Sequence, residues 1–255
     1  MRLRLLLNKP VRPLTGDYLS TAMVELSPED VLPTLPLNIC ILLDVSGSMR
    51  DGGKLEATKE ACIKIVEELA SQDALSLVTF SDMAKVIIPP QILKDEATKQ
   101  NAIQKIRSLQ VEGLTILQKG LEMAYEELKK LKGLERASFL LLASDGYPTD
   151  HLGCVVEPSI YPTYYQKIKD AFENSGISCS ALGVGDASDF DQNFLEKLSD
   201  HGNGQLLYAK EPGELIERFS EEFLRVKQTV ISDLSLEFTE VKGKIRRFAR
   251  VTPDI

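Results

Sequence analysis

Histidine occurs twice, at His151 and His201, and cysteine four times, at Cys40, Cys62, Cys154 and Cys179. No two cysteines stand as C-x-x-C, and this scarcity argues against a thiolate–imidazole zinc site. Spread so thinly over 255 residues, the cysteines read as small buried hydrophobes in a reducing compartment. No stretch approaches the ~20 apolar residues that span a bilayer. No G-x-x-x-x-G-K-[ST] loop is present to cradle phosphate, and Gly183-Val184-Gly185-Asp186 lacks the third glycine of a dinucleotide loop. It reads as a turn ending a strand. Concentrated positive charge is missing too: the net charge is −8. The basic residues Lys242, Lys244, Arg246, Arg247 and Arg250 lie along one strand-like tail, read as a solvated strand. A nucleic-acid partner is therefore not expected.

The ends of the chain carry two further expectations. The apolar run of residues 1–7 breaks at Asn8-Lys9-Pro10, too short for a signal-peptide core. A cytoplasmic protein without membrane insertion is expected. The sequence stops at Thr252-Pro253-Asp254-Ile255 directly after a strand-like run, which leaves room for a longer parent protein.

What is present is a globular balance of 43% hydrophobic and 27% charged residues. The length suits one large α/β domain, with or without a small appendage. Residues 37–43 form a continuous apolar run that suits a strand buried on both faces. Residues 54–69 place Leu55, Thr58, Cys62, Ile65, Val66 and Leu69 on one helical face and charges on the other. Residues 74–80 and 85–88 read as a hairpin, hence one antiparallel strand. Further strands are expected at 139–143, 177–184 and 205–208, and helices at 96–109, 115–131, 164–172, 190–198 and 214–226. This alternation predicts an α/β fold: a doubly wound, Rossmann-like, mostly parallel sheet with helices on both faces.

The two ends read differently. Residues 2–7, 19–26, 234–238 and 245–251 are strand-like with no helix between neighbours. The expected organisation is N-terminal β-segments over 1–36, a core domain over 37–227, and a C-terminal β-segment over 228–255. A small β-rich attachment formed by both ends, or a mere extension of the sheet edge, both fit this pattern.

Chemistry concentrates just after the first buried strand, in Asp44-Val45-Ser46-Gly47-Ser48-Met49. Alternation in an extended loop turns positions 44, 46 and 48 toward one point, and Gly47 lets the backbone fold closely around it. Hard oxygen ligands at one locus suit Mg²⁺, with Ca²⁺ or Mn²⁺ as alternatives. Taken singly, Asp44, Ser46 and Ser48 read as caps, Thr115 as a helix N-cap and Asp145-Gly146 as a turn.

Together these residues resemble the D-x-S-x-S signature of von Willebrand factor type A (VWA) domains. The resemblance extends to Gly113-Leu114-Thr115, to Ala143-Ser144-Asp145-Gly146, to Val78-Thr79-Phe80-Ser81 and to Leu182-Gly183-Val184-Gly185. It covers about residues 37–226. It implies a metal-ion-dependent adhesion site made of Asp44, Ser46, Ser48, Thr115 and Asp145. By that resemblance, Ser46 and Ser48 bind the metal directly, and Thr115 does so directly or through water. Asp44 and Asp145 hold coordinated waters. The implied function is cation-dependent capture of an Asp or Glu carboxylate on a partner protein, not catalysis. By the same resemblance, the helix at 214–226 is the candidate counterpart of the last helix that slides in integrin-type relatives.

A Mg²⁺-dependent hydrolase or phosphotransferase is the competing expectation, since haloacid-dehalogenase-like enzymes also end their first strand in aspartate. They need a second carboxylate two residues on, where this chain has Ser46. The long segment 147–162 borders the expected metal site, with Tyr147 and His151 as candidate rim residues. His201, in Asp200-His201-Gly202-Asn203-Gly204, reads as a surface-loop residue.

Overall fold

The computed structural model describes residues 2–7, 21–27, 34–131, 136–185, 190–209, 211 and 213–227. Near the N-terminus, β1 (Arg2–Leu7) and β2 (Ala22–Ser27) pair antiparallel as a sheet of their own. The strand-like runs 234–238 and 245–251, and the basic tail with them, lie outside the described residues.

Six strands build the main sheet: β3 (Leu37–Asp44), β4 (Ala74–Phe80), β5 (Ala84–Ile92), β6 (Ala137–Ser144), β7 (Ser178–Val184) and β8 (Asn203–Ala209). Their order is β5-β4-β3-β6-β7-β8. Every pairing is parallel except that of β4 with β5. This is the doubly wound arrangement expected from the alternation of strands and helices, with its single antiparallel edge. The chain leaves β3 toward β4 and later returns to the other side of β3 as β6. The carboxyl ends of β3 and β6 therefore flank the topological switch point, where such sheets open a crevice.

Helices α1 (Lys54–Glu68), α2 (Glu96–Arg107) and α6 (Glu214–Lys227) contribute to one hydrophobic cluster, with Ile39, Ile41, Leu43, Leu75 and Leu77. Helices α3 (Leu117–Lys129), α4 (Tyr161–Ser175) and α5 (Gln192–His201) contribute to the other, with Cys40, Leu42, Val78, Leu140 and Leu142. Odd and even residues of β3 divide between the two clusters because successive side chains point to opposite faces. All eight residues of β3 are buried in consequence. Helix α3 approaches the sheet where Gly120 removes a side chain: a Cβ there would stand 2.9 Å from Phe80 Cβ.

A 3₁₀ turn at Gly47–Gly53 joins β3 to α1 and buries Met49 beneath it. Gly52 and Gly53 take φ of 60° and 74°, a left-handed pair that ordinary residues adopt only with strain. Their reversal delivers Lys54 as the first residue of α1. Among the described residues no helix is long and apolar enough to cross a membrane.

Candidate metal centre

Asp44 ends β3 with its carboxylate completely buried. Its Oδ1 accepts the Ser46 amide at 2.8 Å, and its Oδ2 accepts the Ser144 hydroxyl at 2.6 Å from the neighbouring strand. Burial pushes the Asp44 carboxyl up to about 7, against the lowering effect of the Ser144 and Ser46 hydrogen bonds. The loop then carries Ser46 Oγ to 3.1 Å from Ser48 Oγ. Ser48 Oγ donates to Asp145 Oδ1 at 2.7 Å. A chain of oxygens thus runs from one side of the switch point to the other.

Thr115 arrives from the loop before α3, and backbone bonds fix that loop. Gly47 N–H donates to Gly113 O at 2.9 Å, Glu112 N–H to Val45 O at 2.6 Å, and Ile116 N–H to Ser81 O at 3.0 Å. The Asp82 carboxylate accepts Leu114 N–H at 2.7 Å. Asp82 lies so close to the loop that a Cβ on Gly113 would fall 2.1 Å from it. The hydroxyls of Ser48 and Thr115 each stand 3.6 Å from the point a Cβ on Gly146 would take. Asp44, Ser46, Ser48, Thr115 and Asp145 are therefore brought to one locus at the carboxyl end of the sheet.

The second carboxylate has a cation of its own. Asp145 Oδ2 accepts from Lys54 Nζ at 2.9 Å. Among the described residues no three His, Cys, Asp or Glu side chains gather as a metal site. The donor set is instead two carboxylates and three hydroxyls. All are hard oxygens, of the kind that suits Mg²⁺, Ca²⁺ or Mn²⁺.

The segment following Asp145 is ordered into a compact turn. Thr149 Oγ1 accepts Thr115 N–H at 2.9 Å and Thr149 N–H returns a bond to Thr115 O at 2.9 Å. Thr149 bridges Val155, and the Asp150 side chain accepts the amides of Leu152 and Cys154. These bonds leave Tyr147, Leu152, Val155 and Ile160 as exposed hydrophobic side chains, with Met83 exposed on the β4–β5 turn. His151 is exposed in the turn and joins none of the site's hydrogen bonds. His201 belongs to the last turn of α5 instead of a loop; it bonds Lys197 O at 2.7 Å and stacks on Tyr165.

Comparison with known proteins assigns the fold to a family. The profile of the von Willebrand factor type A domain matches residues 38–222. The chain belongs to that family. An uncharacterised Synechocystis protein, sll0103, is 30% identical over 204 residues, covering 79% of this chain and 44% of its own length. Human inter-alpha-trypsin inhibitor heavy chain H3 is 26% identical over 218 residues, or 82% of this chain and 23% of its own. The VWA domain thus spans less than half the length of these relatives. Among solved structures, a von Willebrand factor type A protein from Catenulispora acidiphila superposes with a TM-score of 0.65 at 21% identity, over 75% of this chain and 43% of that one. Proximal thread matrix protein 1 from the mussel byssus, solved with zinc in its adhesion-site motif, superposes at 0.58 with 17% identity, over 74% of this chain and 48% of that one.

Two residues of the VWA domain's site escaped the reading of its sequence. Ser144 appeared only as a member of the motif Ala143-Ser144-Asp145-Gly146, yet its hydroxyl partners Asp44. Lys54 appeared only as the start of an amphipathic helix. The signal available for it was Gly52-Gly53, which turns the chain back over the loop.

Proposed function

We propose that this VWA domain is a divalent-cation-dependent protein-binding module that captures an Asp or Glu carboxylate of a partner protein. Ser46, Ser48 and Thr115 would hold the cation directly, with Asp44 and Asp145 behind them. Mg²⁺ is the expected ion, and Ca²⁺ or Mn²⁺ would be accepted by the same oxygens. The observation that carries this reading is the Ser46–Ser48–Asp145 chain of short contacts at the switch point. The three oxygens that would touch the cation directly are neutral hydroxyls, so its coordination sphere stays receptive to an anionic ligand.

The surroundings support a protein partner. Tyr147, Leu152, Val155 and Ile160 expose apolar surface on the segment tied to Thr115. Exposed apolar side chains on a segment that borders a polar centre suit a protein interface.

The test is Mn²⁺ binding by calorimetry, followed by pull-down of interacting proteins with and without EDTA. Wild type should bind one Mn²⁺ per chain, and Ser48→Ala and Asp145→Ala should weaken binding at least tenfold, or about 1.4 kcal/mol. Equal Mn²⁺ affinity in wild type and both variants overturns the reading. Turnover of a generic phosphate ester that Ser46→Ala abolishes would favour the hydrolase alternative.

A further inference from the structure

A cleft of about 550 Å³ opens between the 3₁₀ turn, the first turns of α1 and the segment that leaves α2. Arg50, Lys59 and Arg107 line it, against one acid, Glu56. Lys59 is buried, and its ammonium meets Glu56 Oε1 at 2.7 Å and Arg107 O at 3.5 Å. It thereby cancels that acid and ties α1 to the end of α2. Arg50 and Arg107 are exposed. Among the described residues their guanidiniums have neither a hydrogen bond nor an ion pair, and Arg50 does not pair with Asp51 beside it. Glu112, further along the same segment, is held by Lys85 at 2.6 Å. The cleft thus presents two unanswered positive charges on a chain whose net charge is −8. Charges beyond about 8 Å are largely screened at physiological ionic strength, so the local pair decides what the cleft attracts.

The cleft adjoins the oxygen cluster. Arg50 follows Ser48 by two residues in the same 3₁₀ turn. The segment that lines the cleft runs on to Glu112 and Gly113, which bond Val45 and Gly47 of the signature loop. A peptide held at the cluster could therefore continue into the cleft. Guanidiniums grip carboxylates through paired N–H donors. Leu55 and Leu109, buried in the cleft wall, offer apolar contact to the methylene stem of a glutamate. Resting on the cation-dependent reading above for the first carboxylate, we propose that the partner's segment is acidic beyond the residue held by the cation. Its further Asp or Glu side chains seat in this cleft on Arg50 and Arg107. These two arginines then determine which carboxylate-bearing segments the domain accepts.

The probe is a fluorescein-labelled octaglutamate, and its anisotropy is read with the full chain in EDTA and again in Mg²⁺. In EDTA the wild type should bind it, less tightly as salt rises. Arg50→Gln combined with Arg107→Gln should weaken that binding about fivefold or more. Lys119→Gln, an exposed change on α3 across the sheet, should leave it unaltered. Mg²⁺ should tighten the wild type's hold, because one glutamate then reaches the cation. No binding by wild type in EDTA, equal binding by the double variant, or an equal loss in Lys119→Gln overturns the role of the cleft. Displacement of the peptide by millimolar inorganic phosphate at matched ionic strength overturns the choice of an acidic segment. A loss in the double variant without tightening by Mg²⁺ overturns joint seating on cation and cleft. Because the cleft is read in EDTA, its failure is separate from failure of the cation site, which Mn²⁺ calorimetry reports. Should the double variant melt early, Arg50→Gln alone must still show part of the loss, and wild-type binding by it overturns the proposal.

Discussion

The Ser144 hydroxyl donates to Asp44 Oδ2 at 2.6 Å across the β3–β6 pairing, joining two residues 100 positions apart. The neighbouring rung, Leu43 opposite Ala143, sets this bond by register. Replacing Ser144 by alanine leaves a buried acceptor without its partner, which costs about 1–3 kcal/mol. Urea denaturation in EDTA should show a midpoint lowered accordingly with an unchanged slope.

Thr149 and Thr115 hold each other through two bonds of 2.9 Å. Thr149→Val removes only the bond to the Thr115 amide and keeps the shape of the side chain. Hydrogen exchange at the Thr115 amide should quicken by about tenfold or more, while amides of β3 exchange as before. Unchanged protection at Thr115 would mean that other contacts hold this loop.

Helix α6 is latched to the sheet by a buried carboxylate. Glu222 accepts the Ser180 hydroxyl of β7 and is paired with Arg225 one turn further along α6. A helix secured in this way resists sliding along the sheet. Glu222→Ala strands both partners, and we expect a loss of about 2 kcal/mol, reduced by the partial exposure of Arg225. Glu222→Gln retains an acceptor for Ser180 and should lose less. Thermal unfolding of the two variants side by side decides the order.

Cysteine reactivity offers a pH-dependent check. Burial pushes the Cys40 and Cys62 thiols up to about 12 and raises that of Cys179 as well, whereas Cys154 is exposed. The thiolate is the nucleophile, so at pH 8 iodoacetamide should label Cys154 alone in the native protein and all four cysteines in urea. Because the folded-state values are raised, the stability these thiols contribute is whole below about pH 9 and drains away as pH rises through about 12.

The periodicity of the sequence made the sheet and most helices legible. Residues 37–43 are apolar on both parities because β3 lies between two layers of helix, and residues 74–80 match β4 residue for residue. The loop residues of the site were legible through the order in which Asp44, Ser46, Ser48, Thr115 and Asp145 follow their elements. Side-chain partners of those residues were not, since Ser144 and Lys54 earn their roles by rotamer and by register across the sheet. Residues 147–162 read as a long connection because the turn signal in Asp150 and Gly153 is short and local. Its tie to Thr115 is made by a side chain 34 positions away. Helix ends moved by a few residues, most at α4, which begins at Tyr161.

The position of the oxygen cluster across the β3–β6 seam bears on the order in which this protein is made. Asp44 and the serines leave the ribosome about 100 residues before Asp145, and contacts of such separation form late in folding. The cluster is complete only once β6 lies beside β3, so a truncated translation product ending before residue 145 carries the signature loop without the Asp145 carboxylate that Ser48 bonds.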